Sequence, residues 1–124
     1  MKIVLVINSI ISHQEKISNI IANGDEIFFL YDGKHKWSVD KIAEEYIDTY
    51  IVNFYPQDGN ENKVQTLEQI IDLKMFGSPV RMATYTTRQY STTEAYETFK
   101  DLYEIVFNKV YGIDDIFDSI ISEL

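Results

Sequence analysis

The chain has no cysteine, two prolines, five glycines and two histidines, and it carries eleven basic residues against twenty acidic ones. Without cysteine there is no disulfide, no thiolate nucleophile and no cysteine-bound zinc or iron–sulfur centre, which agrees with an expected cytoplasmic location. His13 and His35 stand apart, without the spacing of metal ligands and without an adjacent nucleophile, so neither a metal centre nor histidine-assisted catalysis has a candidate. No G-x-x-x-x-G-K-S/T occurs, and Asn8-Ser9-Ile10-Ile11-Ser12 offers no glycine where backbone would approach a pyrophosphate. A receiver-like domain would want acids at the end of its first strand, where this chain has Asn8 and Ser9. No cofactor is expected. The apolar stretch from Ile3 to Ile11 is about half a membrane span and lacks a small-residue cleavage site, so no membrane association is expected either. The shortage of cations leaves a formal charge of −9, which disfavours phosphate backbones and anionic lipid. Lys34-His35-Lys36-Trp37 is the sole candidate for clustered cations beside an aromatic residue, and it reads as a charged edge strand rather than a nucleic-acid site.

What is present is apolar and aromatic. Hydrophobic residues make up 45% and aromatics 14% of 124 residues, with nine tyrosines, a profile that suits one globular domain over 1–124 rather than a disordered chain. Ile3–Ile7 is a continuous β-branched run and predicts a buried strand. Ser12 and Glu15 have the spacing of a capping box, Ile17, Ile20 and Ile21 give a stripe, and Asn23-Gly24 gives a stop, so a helix is expected over 13–22. Ile27–Tyr31 predicts a second strand, and a strand, a helix and a strand in about thirty residues predict a parallel crossover. Asp32-Gly33 signals a tight turn into an edge strand at Lys34–Ser38. A short helix is expected over 38–47, a third strand at Tyr50–Tyr55, a loop at Gln57–Lys63, a helix from Thr66 with Gln69 to Gly77, and a weaker fourth strand at Val80–Thr86. The alternation points to an α/β fold: a three-layer sheet of about four mainly parallel strands plus the hairpin strand, helices on both faces and a C-terminal helix pair. The hairpin keeps an α+β sandwich, with helices on one face, as the alternative.

The clearest local signal is at the end. Ser91 and Glu94 fit a capping box, and Ala95, Phe99, Leu102, Val106 and Val110 recur at three- and four-residue steps. Glu94, Glu97, Asp101 and Glu104 recur on the opposite side. Gly112 interrupts, and Ile113, Ile116, Phe117, Ile120, Ile121 and Leu124 predict a second amphipathic helix with Asp114, Asp115 and Asp118 outward. Between Ser91 and Leu124 eight acids face two lysines, so most of the excess charge sits in about a quarter of the chain. Like charges at these spacings cost a helix roughly 0.2–0.5 kcal/mol per pair, partly recovered by Lys100 and by the helix dipole at Glu94 and Glu97.

A charge row that weakens its own helix is consistent with a basic partner. The expected surface is Glu94, Glu97, Asp101 and Glu104 with Tyr96 and Tyr103 at its margin, carboxylates steering and tyrosines supplying contact area. Small, acidic, cysteine-free inhibitors of basic toxin nucleases, the immunity proteins of bacterial toxin systems, have this physical character. The sequence is thus read as an acidic protein-binding inhibitor that occludes a basic nuclease toxin. Two other readings stand beside it: a small-ligand-binding or hydrolytic α/β domain using Ser9, Asp58 and Arg88 at strand ends, and a phage-type acidic protein that mimics DNA. No catalytic motif supports enzyme activity.

Overall fold

Five strands form one sheet in the order β1-β2-β3-β4-β5, every neighbouring pair antiparallel. The structure is a computed structural model that describes residues 1–57 and 65–124; the loop expected at Gln57–Lys63 lies almost wholly outside them. In chain order the elements are α1 (Lys2–Ser12), β1 (Ile17–Asn23), β2 (Glu26–Tyr31), β3 (His35–Ile42), β4 (Thr49–Tyr55), α2 (Leu67–Met75), β5 (Ala83–Thr86), α3 (Thr93–Tyr111) and α4 (Ile113–Ile121). The mainly parallel three-layer sheet is therefore corrected to an α+β meander, the architecture nearer the sandwich alternative, although helices cover both faces rather than one.

The correction starts at the first element. Ile3–Ile7 is helical: Ile3, Val4, Ile7 and Ile10 are buried along one face of α1, while Leu5, Asn8 and Ser9 face water. A short apolar run is ambiguous between strand and helix, and packing against α3 overrides its β-branched composition. Ser12 and Glu15 then cap nothing. α1 closes as the His13 N–H donates to the Ser9 and Ile10 carbonyls, and the chain enters β1 where a helix over 13–22 was expected. Asn23-Gly24 stops no helix; it turns the β1–β2 hairpin, with Asn23 opposite Glu26 and Gly24 at φ 63°. The same dipeptide serves either role, and the partner strand decides.

Asp32-Gly33 turns the chain as its residue types predict, both at positive φ (58° and 70°), with Lys34 N–H donating to the Tyr31 carbonyl at 3.3 Å. The strand that follows is central, not an edge. β3 runs on to Ile42, paired on one side with β2 and on the other with β4 from Lys36–Tyr55 to Ile42–Thr49, so the expected helix over 38–47 gives way to a strand and a loop. Side chains along β3 alternate between the two faces, as a period of two requires.

One face is apolar and carries most of the core. Ile27, Phe29, Trp37, Val39, Tyr50 and Val52 meet Ile3, Val4, Ile7 and Ile10 of α1 and Ala95, Phe99, Leu102 and Val106 of α3. The other face packs Phe28 and Tyr55 against Leu67, Ile70 and Ile71 of α2. α2 is held by the full capping box read from its sequence, Thr66 accepting from Gln69 N–H and Gln69 from Thr66 N–H. α3 starts at Thr92, whose hydroxyl accepts from Ala95 N–H, one residue beyond the Ser91 box. Gly112 ends it at φ 60°, and α4 follows with no buried residue, so the inward face expected for Ile116, Phe117, Ile120 and Ile121 is exposed. No described helix is long and apolar enough to cross a membrane.

Candidate functional site

Because α3 buries Ala95, Phe99, Leu102 and Val106, the residues half a turn away must face water. Glu94, Glu97, Asp101 and Glu104 all do, in one narrow row along the helix. The fold adds a second acidic segment that the sequence did not join to them. Residues 43–48, the connection between β3 and β4, come alongside α3: Asp48 and Ile47 share a hollow of about 470 Å³ with Tyr96 and Glu97. Glu44, Glu45 and Asp48 lie in that connection, together with Tyr46, which is 92% exposed. The pairing of β3 with β4 produces this placement, so no local pattern could have revealed it.

Further along α3 an open groove of about 500 Å³ runs between Tyr103, Glu104, Phe107 and Asn108 on the helix and Lys41 and Tyr50 of the sheet with Asp25 and Ala43 of its connecting turns. Tyr50 rests edge-on against Tyr96, ring centroids 5.7 Å apart, and tilted against Tyr103 at 5.6 Å. Its phenol is pushed up to about 12, first by loss of solvent and then by Tyr96, Asp48, Glu104 and Tyr103, so one acid from each segment acts on this ring at the groove wall. Lys41 is engaged by Asp48 at 3.5 Å, a partly exposed pair that leaves the local excess negative.

The expected interface residues divide. Glu94, Glu97, Asp101 and Glu104 are on the surface, and Tyr96 is half-buried beside them. Tyr103 is 7% exposed and its hydroxyl donates to the Asp25 carbonyl at 3.2 Å, so it is a fixed, largely covered part of the groove wall. The strand-end trio loses its premise with the parallel sheet. Ser9 sits on α1, where its carbonyl accepts from His13; Arg88 follows β5, holding Glu44 and, at 3.1 Å, the Thr49 hydroxyl; Asp58 lies outside the described residues. Ser9 is absent from the hollow that Arg88 lines. Glu44 is held below the usual carboxylate range by its hydrogen bonds to Thr49 and then Arg88, which fastens the β3–β4 connection to the end of β5.

A second polar constellation lies on the α2 face. One oxygen of Glu26 accepts from Ser38 Oγ at 2.7 Å, Lys74 Nζ at 2.7 Å and Asn53 Nδ2 at 3.2 Å. Lys74 also donates to the Tyr55 hydroxyl at 2.8 Å and stands over the Phe28 and Tyr55 rings. The Tyr55 hydroxyl lies 2.8 Å from Ser38 Oγ and donates to the same Glu26 oxygen at 3.5 Å. Asn53 accepts from Thr84 at 2.7 Å, which carries the network to β5. Burial opposes the charge on Lys74, yet its bonds to Glu26 and Tyr55 outweigh this and raise its pKa. Burial raises Tyr55 as well. Ser38 is wholly buried and its hydroxyl is committed, so the cluster has the properties of a lock between α2 and the sheet rather than of an exposed nucleophile. Asp40, beside it, is raised by burial, against the Lys41 N–H that it accepts, with Glu26 and Asp25 adding to the rise.

Among the described residues no group of three histidine, aspartate or glutamate side chains is placed to hold a metal ion. No protein-family model, no curated protein and no solved structure matches the chain.

Proposed function

We propose that this protein binds a basic protein through the acidic surface shared by α3 and the β3–β4 connection, and that it inhibits this partner by occlusion, in the manner of immunity proteins acting on basic toxin nucleases. The observation that carries the reading is that α3, with Glu94, Glu97, Asp101 and Glu104 exposed along it, lies beside the acidic 43–48 connection, Glu97 sharing a hollow with Asp48 and Glu104 acting with Asp48 on Tyr50. Carboxylates arranged this way speed encounter with a cationic surface and select against anionic partners. Tyr46 and the rim of the α3 groove provide apolar area for the desolvated centre of such a contact.

The test is co-expression with the product of the neighbouring gene, followed by binding measurements at low and high salt. A basic partner should be held more weakly as salt rises, and Glu97→Lys with Asp101→Lys should weaken it about tenfold or more while leaving the fold intact. If affinity and salt dependence survive that double charge reversal, the α3 surface is not the interface.

A further inference from the structure

α4 is an amphipathic helix with its apolar side open. At 100° per residue Ile113, Ile116, Phe117, Ile120 and Ile121 fall within an arc of ~140°, and Asp114, Asp115, Asp118 and Ser119 occupy the rest. In α3 the corresponding stripe is buried. In α4, Ile116, Phe117, Ile120 and Ile121 are 53–60% exposed, and nothing in the helix is buried. Its composition does not hold it in shape unaided. Nine residues make a marginal helix in water, four of the nine are isoleucine, and Asp118 lies four and three residues from Asp114 and Asp115, spacings at which like charges repel. Both defects are removed by a surface that covers the isoleucines and brings cations to the aspartates.

We propose that α4 is an anchor helix that lies in an apolar groove rimmed by arginine or lysine on a protein partner. Charge selects this occupant. From Ile113 to Leu124 there is no lysine, arginine or histidine, only Asp114, Asp115, Asp118 and Glu123. A second copy would bring four carboxylates against four, on molecules that each carry −9, with no cation on the helix to pair with them. Helices that lie on membranes carry lysine and arginine on their polar side, and the anionic leaflet repels a row of aspartates. A basic-rimmed groove satisfies both the stripe and its border, with Ile113, Ile116 or Phe117, and Ile120 as the successive anchors of a helix-in-groove contact. The inference concerns a surface separate from the α3 row, and it shares with the reading above only the basic character of the partner.

The probe is a synthetic amphipathic peptide of leucine and lysine, titrated into the full chain, with sedimentation and co-flotation on phosphatidylcholine/phosphatidylserine vesicles run in parallel. The expected results are a monomer, no vesicle binding, and peptide binding that Ile116→Ser with Ile120→Ser weakens about tenfold or more. Asp114→Asn with Asp118→Asn should weaken it and flatten its salt dependence, whereas Glu97→Lys with Asp101→Lys should leave it within about twofold. Because α4 buries nothing, the serine pair should keep the thermal midpoint of the wild type, which separates lost binding from lost fold. Peptide binding indifferent to the serine pair overturns the proposal. So does a concentration-dependent dimer, or vesicle binding, that the serine pair abolishes. Sensitivity to the α3 reversal alone would leave the occlusion reading standing and remove α4 from the contact.

Discussion

α3 and α4 are written in the same pattern and joined at one glycine, yet α3 is buried along its apolar side and α4 is not. In α3, Ala95, Phe99, Leu102 and Val106 fill a surface that β3, β4 and α1 have already made. In α4, Ile116, Phe117, Ile120 and Ile121 meet no such surface among the described residues, the chain having turned at Gly112. An apolar stripe states only that a helix has something to cover it. For α3 that cover is the molecule itself, and for α4 the described residues supply none. The acids follow suit: on α3 they mark the side turned away from the core, whereas on α4 they border the open side.

The largest test of this contrast is Phe99→Ala. Phe99 is fully buried, and losing its ring together with the cavity left behind should cost about 3–5 kcal/mol in denaturant unfolding. A loss below about 1 kcal/mol would mean that α3 is not the core helix. Next is the alkaline limb. Tyr50, packed against Tyr96 and Tyr103 of α3, has a folded pKa of about 12 against an ordinary value of 10. The folded state therefore holds its proton longer than the unfolded one, stability is fully present below pH 10 and falls as pH climbs from 10 towards 12, and the loss is on the order of 1–2 kcal/mol. Tyr50→Phe should flatten that limb in thermal melts taken across the interval. Tyr55, Tyr103 and Lys74, also raised, keep part of the slope in the variant.

Smaller effects probe the ends of α3. Gly112→Ala places a side chain at φ 60°, where no neighbour lies within 4 Å of the new carbon, so the cost is conformational alone, about 1 kcal/mol by chemical unfolding. Thr92→Ala removes the cap on Ala95 N–H and should also cost about 1 kcal/mol. The smallest effect belongs to α4. Ile116→Ser with Ile120→Ser should leave the unfolding free energy within about 0.5 kcal/mol of wild type, as at exposed positions generally. A loss of several kcal/mol there would mean that α4 is a core helix after all, and the contrast would collapse.

Elements specified by neighbouring residues were legible before any fold was known. The Thr66–Gln69 box, the Asp32-Gly33 turn and the Gly112 break rest on contacts a few residues apart, and the strands around Ile27–Tyr31 and Tyr50–Tyr55 on short runs of β-branched and aromatic residues. Misread elements were those in which local preference competes with a distant partner. Ile3–Ile7 favours a strand until α3 offers it a helical groove, and Val39–Ile47 has helical spacing until β4 pairs with its first half. The exposed row on α3 was legible for the same reason as the helix. The adjacency of 43–48, the burial of Tyr103 and the Glu26–Lys74 pair, 48 residues apart, were not, since each depends on strand order.

By itself the sequence determined the acidic character, the absence of cysteine chemistry, the amphipathic helices at the C-terminus and the positions of several turns, all properties of composition or of residues within a turn or two of one another. Only the tertiary structure decided that the sheet is antiparallel, which acids stand together, and which apolar stripe is covered. Those outcomes depend on long-range pairing, where the cost of closing the chain is met by contacts that no short window contains.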